Sequence, residues 1–174
     1  MDASMAPSLR SLLGAALISP LLVASCAHDP SSSAPGADPA PCSYASANDG
    51  TQSYEILCRD PVANHVTVKH ILLSWKDLAN PDHPLDPRAA DRTQASAREL
   101  ALELLAKVRG GAPIEPLMAQ FSEDPGSAKT GQSYEVSPGA GLVSEFKSLS
   151  LRLQVGEAGI VQSAFGLHVI QRVP

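Results

Sequence analysis

Two histidines stand in segments that read as strands, and an acidic residue stands in a turn between them. Val66-Thr67-Val68-Lys69-His70-Ile71-Leu72-Leu73 is rich in β-branched and aliphatic residues. Period-two alternation puts His70 on one face with Val66, Val68 and Leu72. His168 lies in a second such run, Gly166-Leu167-His168-Val169-Ile170-Gln171-Arg172-Val173, and Asp124 lies in the turn-rich stretch Ser122-Glu123-Asp124-Pro125-Gly126-Ser127-Ala128. A neutral imidazole offers one donor and one acceptor, so two buried rings can satisfy each other. On residue types alone the histidines read either as core side chains with structural bonds or as a site, and Asp124 as either a turn residue or a functional carboxylate. A metal site is not expected: among His28, His65, His70, His83 and His168 no pair has the i, i+4 spacing of helical ligands.

The elements that must position these residues follow from periodicity. From about Arg88 to Arg109, Ala97, Leu100, Ala101, Leu104, Leu105 and Val108 form one stripe of an amphipathic helix, with Arg98, Glu99, Glu103 and Lys107 opposite. Gly110-Gly111 ends it. A short helix is expected over Ile114–Phe121, a short strand over Gly131–Ser137, a helix over Leu142–Leu151, and a turn at Gly156–Gly159. The order βαααβαββ makes the domain, residues 65–174, α+β, with strands gathered into one sheet.

The chain has 174 residues, 44% of them hydrophobic but only 4% aromatic, so aliphatic side chains must fill the core. Its net charge is −5, from 13 basic and 18 acidic residues, and argues against nucleic-acid binding, which favours a basic face. Residues 1–25 read as a targeting segment. After Arg10, the apolar runs Leu12–Ile18 and Leu21–Val23 are interrupted by Pro20 and are too short to span a bilayer, which takes about 20 residues. Val23-Ala24-Ser25-Cys26 resembles the lipobox of bacterial lipoproteins, which implies lipidation at Cys26 and export to a membrane facing the periplasm or cell exterior. Removing Asp2 and Arg10 with this segment leaves 12 basic and 17 acidic residues, the same balance. Residues 26–41, rich in Pro, Ser and Ala, read as a disordered tether. Cys42 and Cys58 then form an even pair in an oxidising compartment, flanking the turn signal Asn48-Asp49-Gly50. A disulfide-stapled hairpin over 42–64 is one expectation and two free thiols the other; the spacing excludes a CxxC redox site.

An ordered set of motifs gives the domain a resemblance. His70-Ile71-Leu72, Gly110-Gly111, Phe121-Ser122-Glu123-Asp124-Pro125-Gly126-Ser127-Ala128, Gly141-Leu142-Val143-Ser144-Glu145-Phe146, Leu153-Gln154-Val155-Gly156-Glu157 and Gly166-Leu167-His168-Val169-Ile170 follow one another. Together they resemble the parvulin-type peptidyl-prolyl cis/trans isomerases. The resemblance implies a four-stranded, mainly antiparallel sheet with about four helices around it. It also implies non-covalent catalysis on Xaa-Pro segments of exported or unfolded proteins, with no cofactor. His70, His168, Asp124 and Ser163 match the polar site positions. Leu142, Phe146 and Phe165 match the walls of an apolar proline pocket. Ser133 falls where the family commonly has an apolar wall residue, since Thr130-Gly131-Gln132-Ser133-Tyr134-Glu135 replaces its Gly-Gly-Asp-Leu-Gly. That departure favours an alternative, a weakly active peptide-binding chaperone module of the same fold. Lys76, Arg88 and Arg92 are interspersed with Asp77, Asp82, Asp86 and Asp91 and are expected to form a solvated face with no phosphate preference.

Overall fold

β-Branched and aliphatic residues alternate across Val66–Leu73, which forms strand β1. One face of β1 carries Val66 and Val68 into one apolar cluster, and the other carries Ile71 and Leu73 into a second. The computed structural model describes residues 50–60, 62–78 and 84–174. The expected signal segment, Cys26, the tether, Cys42, His28 and His83 lie outside them.

The other strands are β2 (Tyr134–Val136), β3 (Ala158–Ser163) and β4 (Gly166–Val173). Their order is β2-β1-β4-β3, with every neighbouring pair antiparallel. Helices α2 (Gln94–Arg109) and α3 (Ile114–Phe121) cover one face. Helix α4 (Ser144–Ser150), with the short helical turn α1 (Tyr54–Leu57), covers the other. This is the α+β fold that the motifs implied. Among the described residues no helix is long and apolar enough to cross a membrane.

Three local outcomes differ from the sequence reading. Helix α2 starts at Gln94, because Thr93 and Ser96 exchange a capping box, and Pro87–Ala89 forms a separate 3-10 turn capped by Asp86. β3 starts at Ala158, inside the segment read as a turn, and runs along β4 in the register Ile160↔Val169. Of the arm expected over 42–64, the described residues 50–60 hold a helical turn, Tyr54–Leu57. Ser53 there donates its N–H to Ile160 O (2.8 Å), and its Oγ accepts from Ile160 N–H (2.9 Å), which occupies the outer edge of β3. Ile56, 1% exposed, reaches the core beneath α4. The packed domain therefore begins before residue 65.

Candidate functional site

β1 and β4 are the two central strands, and their register pairs His70 with Ile170 and Leu72 with His168. His70 and His168 are thus diagonal neighbours on one sheet face, where side chains of this size meet. Their rings lie 22° from parallel with centroids 5.5 Å apart, and the two Nδ1 atoms are 3.3 Å apart. Close approach of the strands depends on Gly166, whose φ is 135°. A Cβ there would stand 2.3 Å from Leu73 O.

Ser163, the last residue of β3, places its Oγ 2.7 Å from His168 Nε2 while accepting the Phe165 N–H at 3.1 Å. At the other end, His70 Nε2 lies 3.4 Å from Asp124 Oδ2, an ion-pair distance longer than a well-formed hydrogen bond. A proton arrangement consistent with these contacts has His70 Nδ1 accepting from His168 Nδ1–H and His168 Nε2 accepting from Ser163 O–H. Burial, and then the neighbouring His70, push His168 down to about 3, against a smaller opposing effect of Asp124. It is therefore uncharged at neutral pH.

Asp124 is fixed by its own turn. Its Oδ2 accepts from Ser127 N–H (2.9 Å) and Ser127 O–H (2.5 Å), and from the Tyr134 hydroxyl at 2.8 Å. Burial alone would raise this carboxyl's pKa. The neighbouring His70 imidazole and the bonds from Ser127 and Tyr134 together outweigh burial and hold it well below the usual carboxylate range. Burial and the Asp124 carboxylate push the Tyr134 phenol up to about 12, so it remains a donor. Gly126 leaves room for this contact, since a Cβ there would sit 2.9 Å from the Tyr134 hydroxyl oxygen.

These polar groups open on a cavity of about 350 Å³ walled by Leu72, Tyr134, Leu142, Val143, Phe146 and Phe165. Phe146 meets both imidazoles edge-on, with centroids 5.1 Å from His70 and 5.4 Å from His168. Of the residues singled out from sequence, His70, His168, Asp124, Leu142, Phe146 and Phe165 line the cavity, and Ser163 stands behind His168. Ser133 does not line it. β2 instead sets Tyr134 opposite Val68, on the face that carries His70.

Tyr134 and Ser127 were missed as site residues. Ser127 carries a readable signal, since its three-residue spacing from Asp124 suits a side chain that caps its own turn. Tyr134, ten residues from Asp124, carries none. The expected solvated face holds for Lys76 and Arg88, both exposed, Arg88 binding Asp86 (2.8 Å) and Ser122 O (2.7 Å), and is corrected at Arg92. Arg92 pairs with the buried Glu123.

An antiparallel sheet with a central histidine pair beside an apolar cavity defines the class, and a family model confirms it. The PPIC-type PPIase domain matches residues 54–173. The chain belongs to this family, the parvulin-type peptidyl-prolyl cis/trans isomerases. The foldase protein PrsA 4 of Bacillus cereus is 40% identical over 73 residues, covering 41% of this chain and 26% of its own. The chaperone SurA of Pseudomonas aeruginosa is 31% identical over 111 residues, covering 63% of this chain and 24% of its own. The chain spans about a quarter of the length of these two relatives. Peptidyl-prolyl isomerase ESS1 from Candida albicans shares the fold. Its TM-score is 0.54 at 21% identity, over 64% of this chain and 63% of that one.

Proposed function

We propose that the domain isomerises Xaa-Pro bonds of exported proteins without covalent chemistry, and so assists their folding. The observation that carries this reading is the polar row Ser163–His168–His70–Asp124, with contacts of 2.7, 3.3 and 3.4 Å, at the floor of an apolar cavity. The barrier to be lowered is about 18–20 kcal/mol and comes from amide resonance. In the planar amide, charge is drawn onto the carbonyl oxygen; in the twisted amide it returns to nitrogen. A proline ring held against Leu142, Phe146 and Phe165 places its bond where little solvent supports the polar planar form. The Asp124 carboxylate, beside the carbonyl, raises the energy of that form further. The twisted state is favoured because it is the less polar one, which is what catalysis requires. The His70–His168 pair holds Asp124 and the cavity floor in place and carries no proton to substrate.

Lipidation at Cys26 would tether the domain to a membrane and bring it to emerging chains. The binding-only alternative rested on Ser133. Tyr134 lines the cavity where that apolar wall was expected, so the ground for it weakens.

The test is an isomerisation assay on a panel of Xaa-Pro peptides. Wild type is expected to exceed the uncatalysed rate, and His70→Ala, His168→Ala and Asp124→Ala, each checked for folding, are expected to lose at least about 10-fold in kcat/KM, a change of about 1.4 kcal/mol. A folded wild type with no rate on any peptide, yet with measurable peptide binding, would leave the chaperone module as the better reading.

A further inference from the structure

Glu123 and Asp124 are adjacent carboxylates with opposite surroundings. Asp124 opens on the cavity, whereas the Glu123 side chain turns inward and is 1% exposed. Glu123 Oε1 pairs with Arg92 Nη1, whose side chain is 15% exposed. Glu123 Oε2 accepts from Ser74 N–H (2.7 Å) and Ser74 O–H (2.5 Å). Arg92 Nη1 also donates to Ser74 O (3.0 Å), and Arg92 O accepts from Lys76 N–H (3.0 Å). Both carboxylate oxygens are held from different directions, so the Glu123 side chain cannot rotate.

The backbone repeats the attachment. Glu123 N–H donates to Leu72 O (2.9 Å), and Ser122 Oγ accepts from Leu72 N–H (3.1 Å). Ser122 and Glu123 therefore lie along the end of β1, and the next residue is Asp124. A buried ion pair contributes little net stability compared with an apolar pair of the same volume. Its particular property is direction, and here it fixes the approach of the turn that carries Asp124.

We propose that Arg92 and Glu123 are positioning residues, a clasp that ties the Asp124 turn to the end of β1 and to the segment entering α2. The proposal rests on the reading that Asp124 acts on the peptide bond. Neither residue lines the cavity, so the clasp acts on the rate through Asp124 and leaves peptide capture unchanged.

A double-mutant cycle on the full chain tests it. Arg92→Met with Glu123→Leu replaces the pair by apolar side chains of similar volume and is expected to stay folded. In the wild-type background kcat is expected to fall about 10-fold with KM unchanged, as for a displaced reacting group. In the Asp124→Ala background the same pair of substitutions is expected to change kcat by less than about 2-fold, because the clasp then has nothing to position. Equal losses in both backgrounds, or a rise in KM instead of a fall in kcat, overturn the proposal in favour of a structural role. If the double variant does not fold, Glu123→Gln enters the same cycle with the same criteria. An Asp124→Ala variant with the wild-type rate would instead sink the role of Asp124 itself, and the clasp with it.

Discussion

The contact between Tyr134 and Asp124 separates two roles of one side chain. The ring walls the cavity and meets His70 edge-on at 5.1 Å, while the hydroxyl donates to Asp124 Oδ2 at 2.8 Å. Tyr134→Phe keeps the ring and removes the donor. Steady-state kinetics should then show an unchanged KM and a kcat lower by about 10- to 100-fold, the worth of one hydrogen bond to a charged group; a changed KM with kcat intact would place its role in binding alone. His168 supports a second expectation. Its folded pKa is pushed down to about 3, so between there and the unfolded value near 6.5 the unfolded chain binds a proton that the folded chain does not. Stability is therefore complete above that window and is lost as pH falls through it, by about 2–3 kcal/mol from pH 7 to pH 4.5. Asp124, whose pKa is also lowered, adds acid lability only below the ordinary carboxylate range. Urea midpoints measured across these pH values read the slope, and a flat profile would contradict a buried neutral His168.

The segment ahead of β1 closes the edge strand through Ser53 and fills the core beneath α4 with Ile56. Large-to-small substitution at a filled core position costs about 2–5 kcal/mol. Ile56→Ala should therefore lower the unfolding free energy by that amount, read from the midpoint and slope of a urea titration. A cost near zero would show that α1 is only laid on the surface. α1 supplies none of the residues that line the cavity, so the folded variant should keep its kcat/KM.

For the whole molecule, the proposed lipid anchor at Cys26 lies outside the described residues. With Cys26 lipidated, the full chain produced in a bacterium should sediment with membranes, and Cys26→Ser should move to the soluble fraction. Stable anchoring takes about two acyl chains, so a soluble wild-type chain would refute the lipoprotein reading. Isomerase activity should be equal in the two fractions, because the anchor and the cavity share no residue.

Local chemistry determined much of this protein. Alternation alone put His70 on the face of Val66 and Val68, periodicity placed the apolar stripe of α2, and the ordered motifs from His70 to Ile170 carried the family resemblance, which implied Leu142, Phe146 and Phe165 of the cavity wall. Strand register belongs to the tertiary structure. Only pairing of Leu72 with His168 makes the two imidazoles diagonal neighbours, and no local pattern encodes that offset. Tyr134, rather than Ser133, enters the site because β2 meets β1 with Tyr134 opposite Val68. Glu123 and Arg92 look like surface charges in a polar stretch. They become an interior pair because the fold brings together two residues 31 apart in the chain, and a charge removed from water needs its partner within contact distance.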